Sequence, residues 1–152
     1  MQLFQITRRM EFDAGHRIPN HLGQCRHLHG HRYQIEVTLQ GQLIHTTGAT
    51  DEGMMMDFAH IKAIIQEFII DPWDHSFFVS NRDLPLIEFL NTIPGHKTTV
   101  IEGIPTAENL AKIAFDILAP VLLKQYQGRI RLKQLRLFET PNCWADVFDE
   151  SD

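Results

Sequence analysis

Hydrophobic and polar residues alternate along the first stretch of the chain. Phe4, Ile6, Met10, Phe12 and Ala14 fall on even positions, with Arg8 the one interruption. Gln5, Thr7, Arg9, Glu11 and Asp13 lie between them. A period of two predicts a half-buried β-strand, and it carries His16 onto the apolar face. The same alternation returns further on. Tyr33, Ile35, Val37 and Leu39 share one face, and Arg32, Gln34, Glu36, Thr38 and Gln40 the other. Extended backward, the apolar face takes in His31 and His29, while Gly41 closes the strand. Asp57 then reads as a helix N-cap before the stripe Ile61, Ile64, Ile65 and Phe68. That helix is expected to stop at Asp71-Pro72-Trp73, because proline lacks an amide donor. The loop signals "NRDLP" and "NTIPGH" flank a short apolar segment, and "TTVI" reads as a short strand. Thr106 is the expected cap of a second helix through Leu110, Ile113, Ile117 and Val121, with Pro120 loosening its end. From Ile130 to Phe138 the pattern is strand-like, with a slip of phase near Gln134 that a bulge explains. Glu139 ends that strand, and "CWADVF" reads as a last short one. Long antiparallel strands first, with helices between later strands, predict an α+β fold.

The 152 residues suit a single domain spanning 1–152, and no repeat, low-complexity run or linker divides them. A net charge of −5 argues against nucleic acid, whose phosphates need a basic surface. Two cysteines do not make a disulfide framework, which fits a reducing compartment. The N-terminus shows no apolar run of signal-peptide length, and no stretch approaches the ~20 apolar residues of a spanning helix. The expectation is a soluble, cytoplasmic protein without a membrane partner.

Candidate chemistry concentrates in "CRHLHGH", Cys25 to His31. Residues i and i+2 of a strand share a face, so His29 and His31 reach one point together. His16, ending the apolar face of the neighbouring strand, supplies a third arm. Three imidazoles suit zinc and leave a fourth position open for water or substrate. Spacing alone does not say which two of His27, His29 and His31 bind, and His21 competes with them. The bland alternative is a set of solvated or hydrogen-bonded histidines; His45, His60 and His96 are read that way. Cys25 admits three readings: a small buried side chain, a fourth ligand closing the site, or a thiolate acting as a base near the metal. Cys143 reads as structural.

The segments "FDAGHR", "CRHLHGH", "WDH", "IPTAENLA" and "FETPNCWADV" occur in an order that resembles the 6-pyruvoyltetrahydropterin synthase superfamily, over nearly the whole chain. Within it, the spacing C-x3-H-G-H is similar to that of the bacterial 6-carboxytetrahydropterin synthases of the queuosine pathway. The pyruvoyl-forming enzymes typically carry C-x5-H-G-H. The resemblance implies a zinc ion held by His16, His29 and His31, with His27 outside the set. It implies Cys25 as the catalytic base, working with Asp74 and His75. Glu139 is implied as the anchor of the pterin ring and a catalytic residue, and Thr106 as a substrate-binding residue of the same pocket. Trp73 and Ala107 depart from the family pattern. The implied reaction converts 7,8-dihydroneopterin triphosphate to 6-carboxy-5,6,7,8-tetrahydropterin, releasing acetaldehyde and triphosphate. The implied architecture is the tunnelling fold: a four-stranded antiparallel sheet with two helices on one face. Subunits join into barrels as trimers or hexamers, with active sites at their interfaces.

Two other outcomes stay open: pyruvoyl formation or side-chain cleavage on the same fold, and a non-catalytic zinc-stabilised binding module closed by Cys25. Retention of Asp74, His75 and Glu139 argues against the module, because a structural zinc does not need them. Arg17, Arg26, Arg32 and Lys97 are candidates for holding the triphosphate by charge alone.

Overall fold

The computed structural model describes residues 1–151. The two alternating stretches form β1 (Phe4–His16) and β2 (His29–Gly41). They pair antiparallel along their whole length, from Phe4 opposite Gly41 to His16 opposite His29. Phe12, Ala14, His16, Tyr33, Ile35, Val37 and Leu39 are buried, as their phase predicts. Burying a large apolar side chain contributes about 1.5–3 kcal/mol. A one-residue slip would turn the whole set outward, so the pattern itself fixes the register.

Asp57 caps α1 (Phe58–Ile65), its carboxylate accepting from the Ala59 N–H at 2.8 Å. The helical path does not stop before Pro72. A π-helical segment, Gln66–Ile70, follows, and then α2 (Asp71–Trp73). The Asp71 N–H bonds to the Gln66 carbonyl, five residues back. This wider turn delivers Pro72 to the first turn of a new segment, where a missing N–H costs little. Trp73 is buried edge-on against Phe12 and Phe78, so the departure from the family pattern there is absorbed by packing.

Next come β3 (Ser76–Ser80), α3 (Leu84–Asn91), β4 (Thr98–Ile101), α4 (Ala107–Gln125), β5 (Ile130–Thr140) and β6 (Cys143–Phe148). Thr106 caps α4, its hydroxyl oxygen accepting from the Asn109 N–H at 3.2 Å. Pro120 lies inside α4, which continues to Gln125 because Leu118 and Leu122 are buried on either side of it.

The sheet differs from the expected one. It has six strands in the order β4-β3-β1-β2-β5-β6. The expected antiparallel set is β1, β2, β5 and β6; β3 and β4 extend it in parallel from the other edge of β1. The expected bulge is present: Thr38 pairs with Gln134 and Leu39 with Leu132, which leaves Lys133 as the extra residue. There are also more helices than the two expected. The α1 stretch and α4 lay Ile61, Ile65, Ile69, Leu110, Ala114 and Leu118 against the apolar face of the sheet. The additional α3 packs Leu86 and Leu90 on Val79, with Phe77 beside them, while Phe78 between those two points into the main core. None of the helices among the described residues is long and apolar enough to cross a membrane.

Candidate active site

The register that buries the core also assembles the histidines. His16 lies directly opposite His29, and Ala14 opposite His31, so the three imidazoles meet on the helix-covered face. Their ring centroids are 4.6, 4.9 and 5.1 Å apart, and their nearest nitrogens all lie within 4.8 Å of one another. The other side of two rings is held by backbone. His16 Nδ1 donates to the Pro105 carbonyl at 2.7 Å, and His29 Nδ1 to the His27 carbonyl at 2.6 Å. A carbonyl only accepts, so both protons sit on Nδ1 and both Nε2 atoms present lone pairs. Those two Nε2 atoms face each other at 3.1 Å. His31 Nε2 is buried without a hydrogen-bond partner among the described residues. Burial lowers the pKa of His16 and His31, so both rings are held neutral. Converging acceptor nitrogens are costly to bury unless a cation sits among them, and three imidazoles so placed could hold a metal ion.

The part played by His27 now has a physical cause. It precedes β2, its ring is exposed, and it serves the cluster through its carbonyl. His21 is occupied locally, accepting from the Gly23 N–H at 2.9 Å. Glu139 stands where β5 becomes irregular, with Oε1 3.4 Å from His16 Nε2 and 3.7 Å from His31 Nε2. Cys25, Thr106 and Glu139 line one cavity of about 240 Å³, which also touches Ala107, Cys143 and Trp144. Segment 104–106 thus does two jobs: its Thr106 caps α4 and its Pro105 carbonyl orients His16. Asn109 ties the same segment down, donating to the carbonyls of Glu102 and Ile104.

Asp74 and His75 form a second constellation. Asp74 Oδ2 lies 3.0 Å from His75 Nδ1, and Asp74 Oδ1 accepts from the Asp13 N–H at 2.9 Å. The Asp13 N–H, and after it His75, holds the Asp74 carboxyl below the usual carboxylate range. His75 opens onto a separate cavity of about 480 Å³, shared with Asp13, His31, Arg32 and His96. Within one protomer, therefore, Cys25 and Glu139 share a cavity while His75 faces another. Three of the four cations considered for the triphosphate are engaged elsewhere. Arg17 pairs with buried Asp83, Arg32 with Glu11 and Asp13, and Lys97 donates to backbone carbonyls. Arg26, in the 3₁₀ turn Gln24–Arg26 beside Cys25, makes no ion pair among the described residues. Asp13, His96 and the Pro105 carbonyl were not foreseen; a carbonyl leaves no trace in a residue pattern.

The 6-pyruvoyl tetrahydropterin synthase family profile matches residues 5–150. The chain belongs to this family. The 6-carboxy-5,6,7,8-tetrahydropterin synthase of Rickettsia bellii is 36% identical over 146 residues, covering 95% of this chain and 100% of that protein. The enzyme of the same name from Haemophilus influenzae is 30% identical over 147 residues, covering 95% and 98%. Among solved structures, an uncharacterised protein of Wolinella succinogenes superimposes with a TM-score of 0.79 at 23% identity, covering 99% and 100%. The 6-pyruvoyl tetrahydropterin synthase of Caenorhabditis elegans does so with a TM-score of 0.70 at 22% identity, covering 99% and 98%. The tunnelling fold of the 6-pyruvoyl tetrahydropterin synthase family is therefore the fold of this chain.

Proposed function

We propose that the chain is a zinc-dependent carbon–carbon lyase. It converts 7,8-dihydroneopterin triphosphate to 6-carboxy-5,6,7,8-tetrahydropterin, with release of acetaldehyde and triphosphate, in 7-deazaguanine (queuosine) biosynthesis. The observation that carries it is the convergence of His16, His29 and His31 beside a cavity lined by Cys25, Thr106 and Glu139. The names of the relatives and the short C-x3-H-G-H spacing favour the carboxy product over the pyruvoyl one.

His16, His29 and His31 would hold the zinc ion. When bound, zinc supplies Lewis acidity toward oxygens of the substrate's side chain. Glu139 accepts the paired N–H groups of the pterin ring. Thr106 gives its oxygen to the helix cap and keeps its hydroxyl proton free to donate. Cys25 takes a proton from the side chain as general base, and a neighbouring cation favours its thiolate. Asp74 orients His75 and stabilises its charged form, so that His75 moves the second proton. Because His75 faces a different cavity from Cys25, the full set is completed by a second copy of the chain. The strand edges at β4 and β6 are free to pair, which suits a trimer or hexamer of joined sheets.

One observation favours a closed site instead. Glu139 stands near enough to His16 and His31 to serve as a fourth zinc ligand, in the place the sequence suggested for Cys25. The deciding experiment incubates the purified protein with 7,8-dihydroneopterin triphosphate and identifies products by mass. Acetaldehyde with 6-carboxytetrahydropterin is expected. A pyruvoyl or hydroxymethyl pterin would replace this outcome by a sister reaction, and a protein that neither binds nor turns over the pterin would overturn the proposal.

A further inference from the structure

Lys97 is a candidate for the substrate triphosphate by charge alone. Its ammonium instead donates to two carbonyls, Asp71 at 2.7 Å and Asp74 at 2.6 Å, at the C-terminal end of α2. That end carries the negative pole of the helix and attracts cations. The Asp74 carbonyl belongs to the peptide that joins Asp74 to His75. The opposite edge of that peptide is also held, since the His75 N–H donates to the Asp13 carbonyl at 2.6 Å.

The held peptide is an unusual one. Asp74 has φ −64° and ψ 128°, and His75 has φ 63°. The Asp74 angles and the positive φ of His75 match the central residues of a type II turn, whose second central position normally belongs to glycine. Rotating the peptide plane between them gives a type I turn, in which a histidine sits at negative φ without strain. The strained form persists because both edges of the plane are pinned, one by Asp13 and one by Lys97. Lys97 is itself fixed by strand pairing: its carbonyl accepts from the Phe77 N–H at 3.0 Å.

We propose that Lys97 is a positioning residue for His75: its bond to the Asp74 carbonyl holds the Asp74–His75 peptide in the orientation that puts the imidazole on the Asp74 carboxylate. The proposal rests on the catalytic role given above to His75. Lys97→Met removes the pin and leaves the hydrophobic core untouched. The expected result is a kcat lower by about ten- to hundredfold, the scale of a lost orientation, with KM and zinc content unchanged. Lys97→Arg, which keeps donors for the carbonyls, should restore most of the loss. In a His75→Ala background Lys97→Met should cost nothing further.

A second readout does not depend on turnover. In the zinc-loaded protein, the NMR signal of the His75 imidazole should move in Lys97→Met to the position it takes in Asp74→Ala. Lys97→Ala, which also carries no side-chain donor, is read in the same way should the methionine variant fail to fold. A raised KM with unchanged kcat would mean that Lys97 holds substrate anion, and would overturn the proposal. So would an undiminished loss in the His75→Ala background, or a His75 signal that stays in place. If the wild-type protein does not turn over the pterin, the enzymatic role fails while the NMR signal still decides whether Lys97 positions His75.

Discussion

Glu139→Gln separates two roles that one carboxylate could play. Glu139 lines the cavity of Cys25 and Thr106, and its Oε1 also lies within 4 Å of two ligand nitrogens. Its side chain is 25% exposed, so its interactions are only partly screened by water. The substitution keeps the volume, removes the charge and replaces one acceptor by an amide donor. Toward a pterin, that donor meets another donor and both go unpaired. Such a mismatch costs about 1–3 kcal/mol, more where a charge is lost. The ring should therefore bind at least about tenfold more weakly. Toward the histidines, the loss acts in two opposing ways. The cation loses a nearby negative charge, but Glu139 also raises the pKa of His16 and His31 against the larger effect of burial. Without it both rings are harder to protonate, and protons compete less for Nε2. Zinc content near neutral pH should stay the same. The assay is calorimetric titration of the zinc-loaded variant with a non-reacting pterin, beside elemental analysis. Wild-type affinity would exclude Glu139 as the anchor, and loss of zinc would identify it as the fourth ligand of a closed site.

His29→Ala and His31→Ala should strip the metal, whereas His27→Ala should keep it because only the His27 backbone serves the cluster; metal analysis showing the reverse pattern would sink the ligand set. Cys25→Ala should retain zinc and bind pterin yet turn over far more slowly, and a parallel loss of metal and activity would count against a base. Burial lowers the pKa of His16 and His31 from 6.5, so the stability they contribute is present above that value and lost as pH falls through the lower folded values. The Tm of metal-stripped protein should be steady above about pH 6.5 and fall beneath it, while zinc, which binds the neutral rings, should carry the plateau lower; a stripped protein insensitive to acid down to about pH 5 would refute this. The Tyr33 hydroxyl is buried with no partner among the described residues, so Tyr33→Phe should melt no lower than wild type, and a drop beyond about 5 °C would reveal a partner.

The parts of the molecule that could be read from the sequence are those where one face is buried and the other is not. β1 and β2 alternate for this reason, and their phase carries His16, His29 and His31 to one face, although His27 shares that spacing and alternation alone does not separate it from them. Asp57 and Thr106 were legible because a capping side chain is a local bond. β3 was not, because four of its five residues are buried and no alternation survives. The helix through Pro72 was missed because a π turn depends on hydrogen bonds rather than on residue types. The carbonyl partners of Lys97 were not legible, because charge in a sequence suggests a partner of opposite charge. The separation of Cys25 from His75 is a property of the folded surface, and only the cavities show it.

The full-length register between β1 and β2 also bears on how such a site can diversify. His16 and His29 are cross-strand neighbours because the strands lock, not because a tight turn joins them. Cys25 sits in the connection, on a 3₁₀ turn between the two histidines, and the Ile18 N–H closes a loop onto its carbonyl at 2.7 Å. Residues can enter or leave between Cys25 and His27 while the imidazoles stay where the strands and the His27 carbonyl hold them. Insertions in loops are tolerated far better than shifts within a paired strand. The length of this surface loop, and with it the place of Cys25, can thus change while β1 and β2 keep His16, His29 and His31 in register.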